Sequence, residues 1–533
     1  ASNNTGLGYN ALIANTTGAE NVAVGASGLA ANTTGGDNVS IGVEALTTNT
    51  TGSDNVAVGK AALKLSTTAS NNTAIGNAAL AANTTGDLNT AVGAYAMQNS
   101  VNNDRNVAIG YGTLANISND QGDSHHVAVG FNAGTAVTTA IQQTLVGSNA
   151  GVSCTTGHRC TFVGYYSGSN NTTGADNTAV GRASFGNNTT GVENTSLGTN
   201  ALNANTTASA NTAVGYAALQ SNTNGQYHVA VGWQALDANT SGEYNVAVGA
   251  GALTDNTTGS FNVAVGLNAQ ENATTASRNV AVGYQSLQNT TGSYNTAIGD
   301  NVLSANTSGI YNVGLGWQCM ESLTTGTQNI AIGRQAGRYL TTGDYNISIG
   351  SIANGWTTTD KTGDFNIHIG YATNPSAADV NNEIVIATGN DGSTGKGTGT
   401  MWVDNIGNGA YQSNNSSSWS TTSDRRIKKN IVDNNIGLEA INKLRVTNFE
   451  YRDVDEITDF ANPNAAVIRK KGVQVGVIAQ EIETVLPDVV ETLSTGVKTV
   501  NPDNLTWYLV NAVKELSGKN TSLEARVAAL EGA

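Results

Sequence analysis

The chain has 533 residues, of which only 12 % are charged and 6 % aromatic, and its formal net charge is −15. An acidic composition without a basic stripe argues against nucleic-acid binding, and no apolar run approaches the roughly 20 residues of a membrane helix. Residues 1–422 hold 10 of the 24 Lys and Arg and residues 423–533 the other 14, so net charge falls from about −13 in the long part to about −2 in the short one, which marks a domain boundary.

Ala1-Ser2-Asn3 leads straight into a repeat with no signal-like start, so a natural beginning is expected upstream. From Asn4 a pentapeptide of the type Asn21-Val22-Ala23-Val24-Gly25 recurs about 22 times, mostly at 17-residue spacing, as far as Asn366-Ile367-His368-Ile369-Gly370. A fixed period in this range predicts a solenoid over residues 1–370, in which each coil touches only its neighbours. In the unit Asn295–Tyr311 the first residues alternate as a strand does, with β-branched residues on one face and Ala297 on the other. Gly299 ends the strand and a second short apolar piece follows. Asn306-Thr307-Ser308-Gly309 then closes the coil, its glycine expected to supply φ > 0. Stacked at about 4.8 Å, the coils would form a rod on the order of 100 Å long. The return segment of a coil covers one strand face only. The other face is expected to meet a second copy of the chain, small Ala suiting close approach, and the residues leave the number of copies open.

The Asn that opens each unit reads as a hydrogen-bonding ladder; His126 and His228 replace it, so side-chain donors are expected to suffice. The Asn-Thr-Thr sequons read as turn chemistry before glycan acceptors, and the threonines cluster in turns instead of forming a flat ice-binding face. Cys154, Cys160 and Cys319 are odd in number and lack a CxxC pair, which argues against a metal site and for buried free thiols. No cofactor is expected. The spacing slips around 117–126 and 357–365, and Tyr165, Tyr166, Trp233, Tyr244, Tyr311, Trp317 and Tyr345 are candidate receptor contacts, although filling between subunits is the commoner use of such rings. The Asn-Val-Ala-Val-Gly units across residues 4–370 resemble the left-handed parallel β-roll heads of trimeric autotransporter adhesins and similar repeats of phage tail fibres. The resemblance implies a homotrimeric stalk or head that binds a surface.

Residues 371–422 read as a connector in which the period fails after Gly370. Glu383–Ala387 is predicted as one more strand, Gly389–Thr400 as a Gly/Thr loop and Met401–Asn405 as a final strand. Asn414–Thr422 is a Ser/Asn run, extended and accessible. A new domain opens at Ser423-Asp424-Arg425-Arg426-Ile427-Lys428-Lys429 and runs to residue 506. It carries a predicted helix at Ile436–Leu444, a strand at Val446–Tyr451, and a strand-to-helix passage from Val473 to Ile482 that ends near Pro487. Residues 507–533 are heptadic: Leu509, Leu516, Leu523 and Leu530 recur every seven residues, with Val513, Asn520 and Val527 at the companion positions. This predicts a coiled coil in which Asn520 sets register. Val and Leu in these places favour two strands on their own.

Ser423-Asp424 with Lys428, Gly476-Val477-Ile478-Ala479-Gln480-Glu481 with Pro487, and the closing heptad together resemble the intramolecular chaperone domain of phage endosialidases, tailspikes and tail fibres, an auto-processing serine peptidase. The resemblance implies three strands in the coiled coil, chaperoned folding of the β-structured trunk, and release by self-cleavage at Ser423-Asp424. The chemistry is consistent with the residues. A serine hydroxyl stays inert until a base removes its proton, and a neutral lysine can be that base. Like charge from Arg425, Arg426 and Lys429, together with burial, favours the neutral form of Lys428. The residues leave open whether the hydroxyl acts on a neighbouring bond, on another subunit or through water.

The expectation is therefore a mainly β fold: a parallel β-roll or β-solenoid stalk in a homotrimer, followed by a small α+β domain ending in a coiled coil. Its function would be that of a viral tail fibre binding a host surface receptor, glycans being one receptor class. It would be located in the virion tail, with no nucleic-acid partner and no membrane insertion. A bacterial surface adhesin is the first rival, and would be expected to finish in a membrane-anchoring barrel strand where this sequence finishes in heptads at Gly532-Ala533. A polysaccharide-degrading tailspike is the second, and would need paired carboxylates in a groove, whereas Asp and Glu are scattered through turns.

Overall fold

Alternating β-branched and small residues make every Asn-opened pentapeptide a short strand. The computed structural model describes residues 2–118, 124–355, 357–388, 393–404, 410–412, 425, 428–457, 468, 471–493 and 496–532, and the chain divides into two compact units, Ala1–Thr422 and Ser423–Ala533. In the first unit, three-residue strands β1–β21 run from Thr5–Leu7 to Ile347–Ile349, followed by β22 (Ile367–Gly370), β23 (Ile384–Ala387) and β24 (Met401–Asp404). Each pairs in parallel with the next so that equivalent residues meet, as in Val22↔Val39 and Val39↔Val56. The expected parallel β-solenoid is the observed fold. Where spacing slips, the pairs Val107↔Val127 and Ile347↔Ile367 keep the register.

The stack outruns its sequence signature. The period was expected to fail after Gly370, yet β23 and β24 continue the parallel pairing to Asp404. Glu383 takes the place of the ladder asparagine. Its backbone N–H donates to Asn366 Oδ1 at 2.9 Å, and its buried carboxylate accepts the N–H groups of Ser376 at 2.9 Å and Gly397 at 2.6 Å. Backbone pairing sustains the coil once the motif is gone. A last strand, β25 (Ala410–Gln412), runs antiparallel to β24.

Inside most coils a strand alanine (Ala23, Ala57, Ala74) and a return-segment leucine (Leu29, Leu46, Leu63) are fully buried in one continuous core. These leucines sit at φ 47–49°, a left-handed conformation costing roughly 1–2 kcal/mol. Burial of the side chain contributes about 1.5–3 kcal/mol and prevails. The expectation that Ala would face a partner chain is reversed. So narrow a coil encloses only one small strand side chain beside a leucine, which turns the β-branched residues outward. They stay half-exposed there, as at Ile41 (41 %) and Ile332 (41 %).

The loop glycine needs correction too. Gly35 is not left-handed; a Cβ there would lie 2.2 Å from the Gly52 carbonyl oxygen and 2.6 Å from Asn32 Oδ1, so the requirement is space. Positive φ belongs to the strand-ending glycines such as Gly25 (131°) and Gly42 (138°).

The opening asparagines form the expected ladder: Asn38 N–H donates to Asn21 Oδ1 at 3.0 Å, and Asn38 Nδ2 to the Gly52 carbonyl at 2.9 Å. At the histidine coils the ring Nδ1 takes over the accepting role of the asparagine Oδ1. His126 Nδ1 takes the Gln143 N–H and His228 Nδ1 the Asn245 N–H, each at 3.2 Å. Burial lowers the pKa of both rings to about 4. It lowers that of His368, which replaces the inward alanine of β22, to about 3.

All three folded values lie below the unfolded one near 6.5, so the unfolded chain takes up protons first. Stability is whole above about pH 6.5 and drains away as pH falls toward 4. At pH 5 each ring should cost the stalk about 2 kcal/mol. Melting curves at pH 7.5 and 5 should differ markedly for the wild type and much less for a His126→Asn/His228→Asn/His368→Ala variant; equal acid sensitivity would remove the assignment.

The second unit contains α1 (Leu438–Asn442), β26 (Thr447–Phe449), β27 (Gln474–Gly476), α2 (Ala479–Glu483), β28 (Val490–Thr492), β29 (Lys498–Val500) and α3 (Pro502–Glu531). β26 pairs antiparallel with β27, and β28 with β29. Helix α3 begins five residues before the heptad, because Asn501 caps it by accepting the N–H groups of Asp503 and Asn504 and Pro502 fills the first turn.

Candidate functional site

The small core of the second unit is Ile482, Leu486, Val489 and Tyr508, with Leu444, Val477 and Leu505 packed against it. It positions the motif residues singled out above. Gly476 ends β27, where a Cβ would come within 3.1 Å of the Phe449 ring. Ile478 then precedes α2 in extended conformation, and Glu481 on that helix accepts from Arg445 Nε at 3.0 Å. This hydrogen bond holds the Glu481 carboxyl below its ordinary range. Pro487 opens a short 3-10 turn that presents Asp488 to the buried Tyr508 hydroxyl, which donates to it. That bond raises the Tyr508 pKa. The segment before α1 is fastened to α3 as well: Leu438 N–H donates to Glu515 Oε2 at 3.0 Å, and Asn511 Nδ2 to the Asn434 carbonyl at 2.8 Å. Sequence reasoning missed these polar clamps, since nothing in the spacing of Asn434, Asp488 and Tyr508 brings them together before the chain folds.

Ser423 and Asp424, the expected nucleophile and scissile link, lie outside the described residues. Lys428 is exposed, and its backbone N–H donates to the Arg425 carbonyl at 3.2 Å. Among the described residues, none supplies the burial expected at Lys428.

Along α3, Tyr508 and Ala512 face the core while the heptad residues point away from it. Leu509, Val513, Leu516, Leu523, Val527 and Leu530 are 44–79 % exposed. Asn520 is exposed too, donating to Glu524 Oε1 at 2.8 Å.

On the stalk, most sequon asparagines are buried and used, Asn289 being an exposed exception: Asn49 Nδ2 donates to Asn32 Oδ1 and to the Gly52 carbonyl, each at 2.9 Å. Cys154, Cys160 and Cys319 are free and buried, and burial pushes their thiols up to about 11, 12 and 12. The expected aromatic contacts separate by column. Tyr244, Tyr311 and Tyr345 each stand just before a ladder asparagine, Trp233 and Trp317 just after a strand-ending glycine, and Tyr165 packs edge-on to Tyr166 at 4.4 Å.

Residues 423–491 match the family model described as the chaperone of endosialidase. No curated protein matches the chain. The family includes self-cleaving intramolecular chaperone domains. Among the described residues no helix is long and apolar enough to cross a membrane. The second unit thus carries the features of the chaperone-of-endosialidase family, and that domain beside a β-solenoid stalk fits a phage tail fibre.

Proposed function

We propose that this chain is the stalk of a tail fibre that binds a host surface receptor, assembles as a homotrimer through its C-terminal unit, and then severs that unit at Ser423-Asp424. The observation that carries the reading is a coincidence of boundaries. The family match begins at Ser423, which is also where the chain divides into two compact units. A cut there would separate two bodies without breaking the core of either. In the cut, Ser423 serves as nucleophile and Lys428 as its base, one peptide bond is hydrolysed, and each molecule turns over once.

Assembly is supported by α3. A 30-residue helix with an apolar heptad column, interrupted only at Asn520, left in water lacks the packing that stabilises most helices, and like columns from other copies would supply it. The same association would bring groups of a neighbouring copy against Lys428. The half-exposed β-branched face of the stalk offers a second seam along its length.

Denaturing electrophoresis tests the chemistry. Wild type should give a fragment ending near residue 423 and another starting near Asp424, while Ser423→Ala and Lys428→Ala stay full length. Cleavage persisting in Ser423→Ala would falsify the assignment. Capture of intact bacterial cells by the purified stalk tests the receptor reading.

A further inference from the structure

The residue just before the ladder position has the same left-handed backbone in coil after coil, with φ 59° at Asp37, 60° at Asp54, 56° at Tyr244 and 59° at Tyr311. Its side chain changes partway along the stalk. From Glu20 to Glu193 the position is mostly polar or charged, as at Asp37, Asp54, Asn71 and Arg159, and from Tyr227 to Phe365 it is aromatic in seven of nine coils. These rings form a row. Tyr227, Tyr244 and Phe261 stack at 4.9 and 5.0 Å, Tyr294 on Tyr311 at 4.9 Å, and Tyr345 on Phe365 at 4.8 Å, with planes within 22° of parallel. Arg278 bridges the first gap, its guanidinium 5.2 Å from the Phe261 ring centre and 5.4 Å from that of Tyr294. It donates to the Tyr294 hydroxyl at 3.1 Å.

The ring centres are thus about one coil step apart, and the rings are 43–52 % exposed.

We infer that this row is a binding strip for an extended, neutral polysaccharide; the inference rests on the receptor reading above and names the receptor's chemical class. Three observations favour it. First, the coils from Glu20 to Glu193 are an internal control. They pair in the same register with mostly polar or charged residues at this position, so the aromatics are not needed for the fold. Nor does a seam between in-register copies running the whole stalk require them; the strand face, apolar in every coil, suits that use. Second, a bulky side chain in the left-handed region carries strain that Asn or Asp would lessen, and strained positions gather at binding sites. Third, the row lies beside Glu243, Asp344 and Asp364 on a stalk carrying about −13, which repels polyanions. What remains is a ligand with apolar ring faces, hydroxyls for the neighbouring carboxylates, and a repeat close to the step between coils. A neutral glycan chain has all three.

The test uses the full chain and a Tyr244→Asn/Phe261→Asn/Tyr311→Asn variant, Asn71 being proof that this position accepts asparagine. The probes are an immobilised glucan, mannan and galactan, with alginate as the acidic comparison. The wild type should be retained by at least one neutral polymer and not by alginate. The triple variant should lose more than about tenfold in affinity, with assembly mass and melting temperature unchanged. Tyr216→Asn, off the row, should bind as wild type does. Retention of the triple variant, or no binding of wild type to any neutral polymer, overturns the inference. A change of assembly mass in the variant overturns it too, by making the row a seam between copies. A wild type that captures bacterial cells yet ignores all three polymers sinks the strip alone; one that captures no cells sinks the receptor reading.

Discussion

Expressing residues 1–423 without the rest of the chain should yield aggregated or unassembled stalk, whereas the full chain yields soluble stalk even after its tail has been cut away. The reason lies in the monotony of the coils. One strand pairs with the next through residues of the same kind, β-branched outside and small inside, in most coils, as in Val229↔Val246 and Val246↔Val263. Copies displaced by one coil would therefore keep almost every favourable contact and lose only those of a terminal coil. Registers this close in energy make a rough landscape with many near-equal minima. On the proposed assembly, a compact domain that associates first, through α3, would impose one alignment before the stalks meet. Once the seam had closed, the barrier to unfolding would keep it closed, so the tail would become dispensable. Soluble fraction and light-scattering mass are the readouts. Assembled, soluble stalk from the truncated gene would contradict the chaperone role while leaving the cleavage chemistry intact.

Gly232→Ala should be among the most damaging single substitutions in the stalk. The residue has φ 142°, and a Cβ would lie 2.4 Å from the Gly249 carbonyl oxygen and 2.6 Å from its carbonyl carbon. The obstacle is backbone of the next coil, so no side-chain rotation relieves it. Either the two coils separate and parallel pairing is lost, or the strand end is distorted. Backbone strain plus a broken coil-to-coil interface should cost more than about 3 kcal/mol. Because each coil is held only by its neighbours, the damage should appear as two blocks melting apart. Gly518→Ala is the contrast. That glycine is in α3 with nothing within 4 Å of the added carbon, and the change should raise stability by up to about 1 kcal/mol, as in exposed helix interiors generally. A melting curve for Gly232→Ala that overlays the wild type would refute the close stacking on which the stalk's architecture depends.

Much of the candidate site was legible in order along the chain. The short helix before Val446, the strand-to-helix passage ending at Pro487 and the heptad all rest on local propensity and periodicity. The structure finds them at Leu438–Asn442, Gln474–Glu483 and Pro502–Glu531. The start of α3 was readable as well, since Asn501-Pro502-Asp503 is a capping signal, but the heptad drew attention to Trp507 instead. The pairings of Arg445 with Glu481 and of Asp488 with Tyr508 were not legible, because residues distant in sequence meet only after the core around Ile482 has formed.

By itself the sequence determined the 17-residue period, the strand in each unit, the asparagine ladder and the change of character at Ser423, because each depends on neighbouring residues or on simple repetition. Only the tertiary structure decided that alanine turns inward and the β-branched face outward, since that choice depends on how much room a closed coil encloses. It likewise decided that the loop glycine is required for space, that stacking continues through Glu383 to Asp404, and that rings 17 residues apart join into one row. Each of these follows from the distance between one coil and the next, which exists only once the coils are stacked.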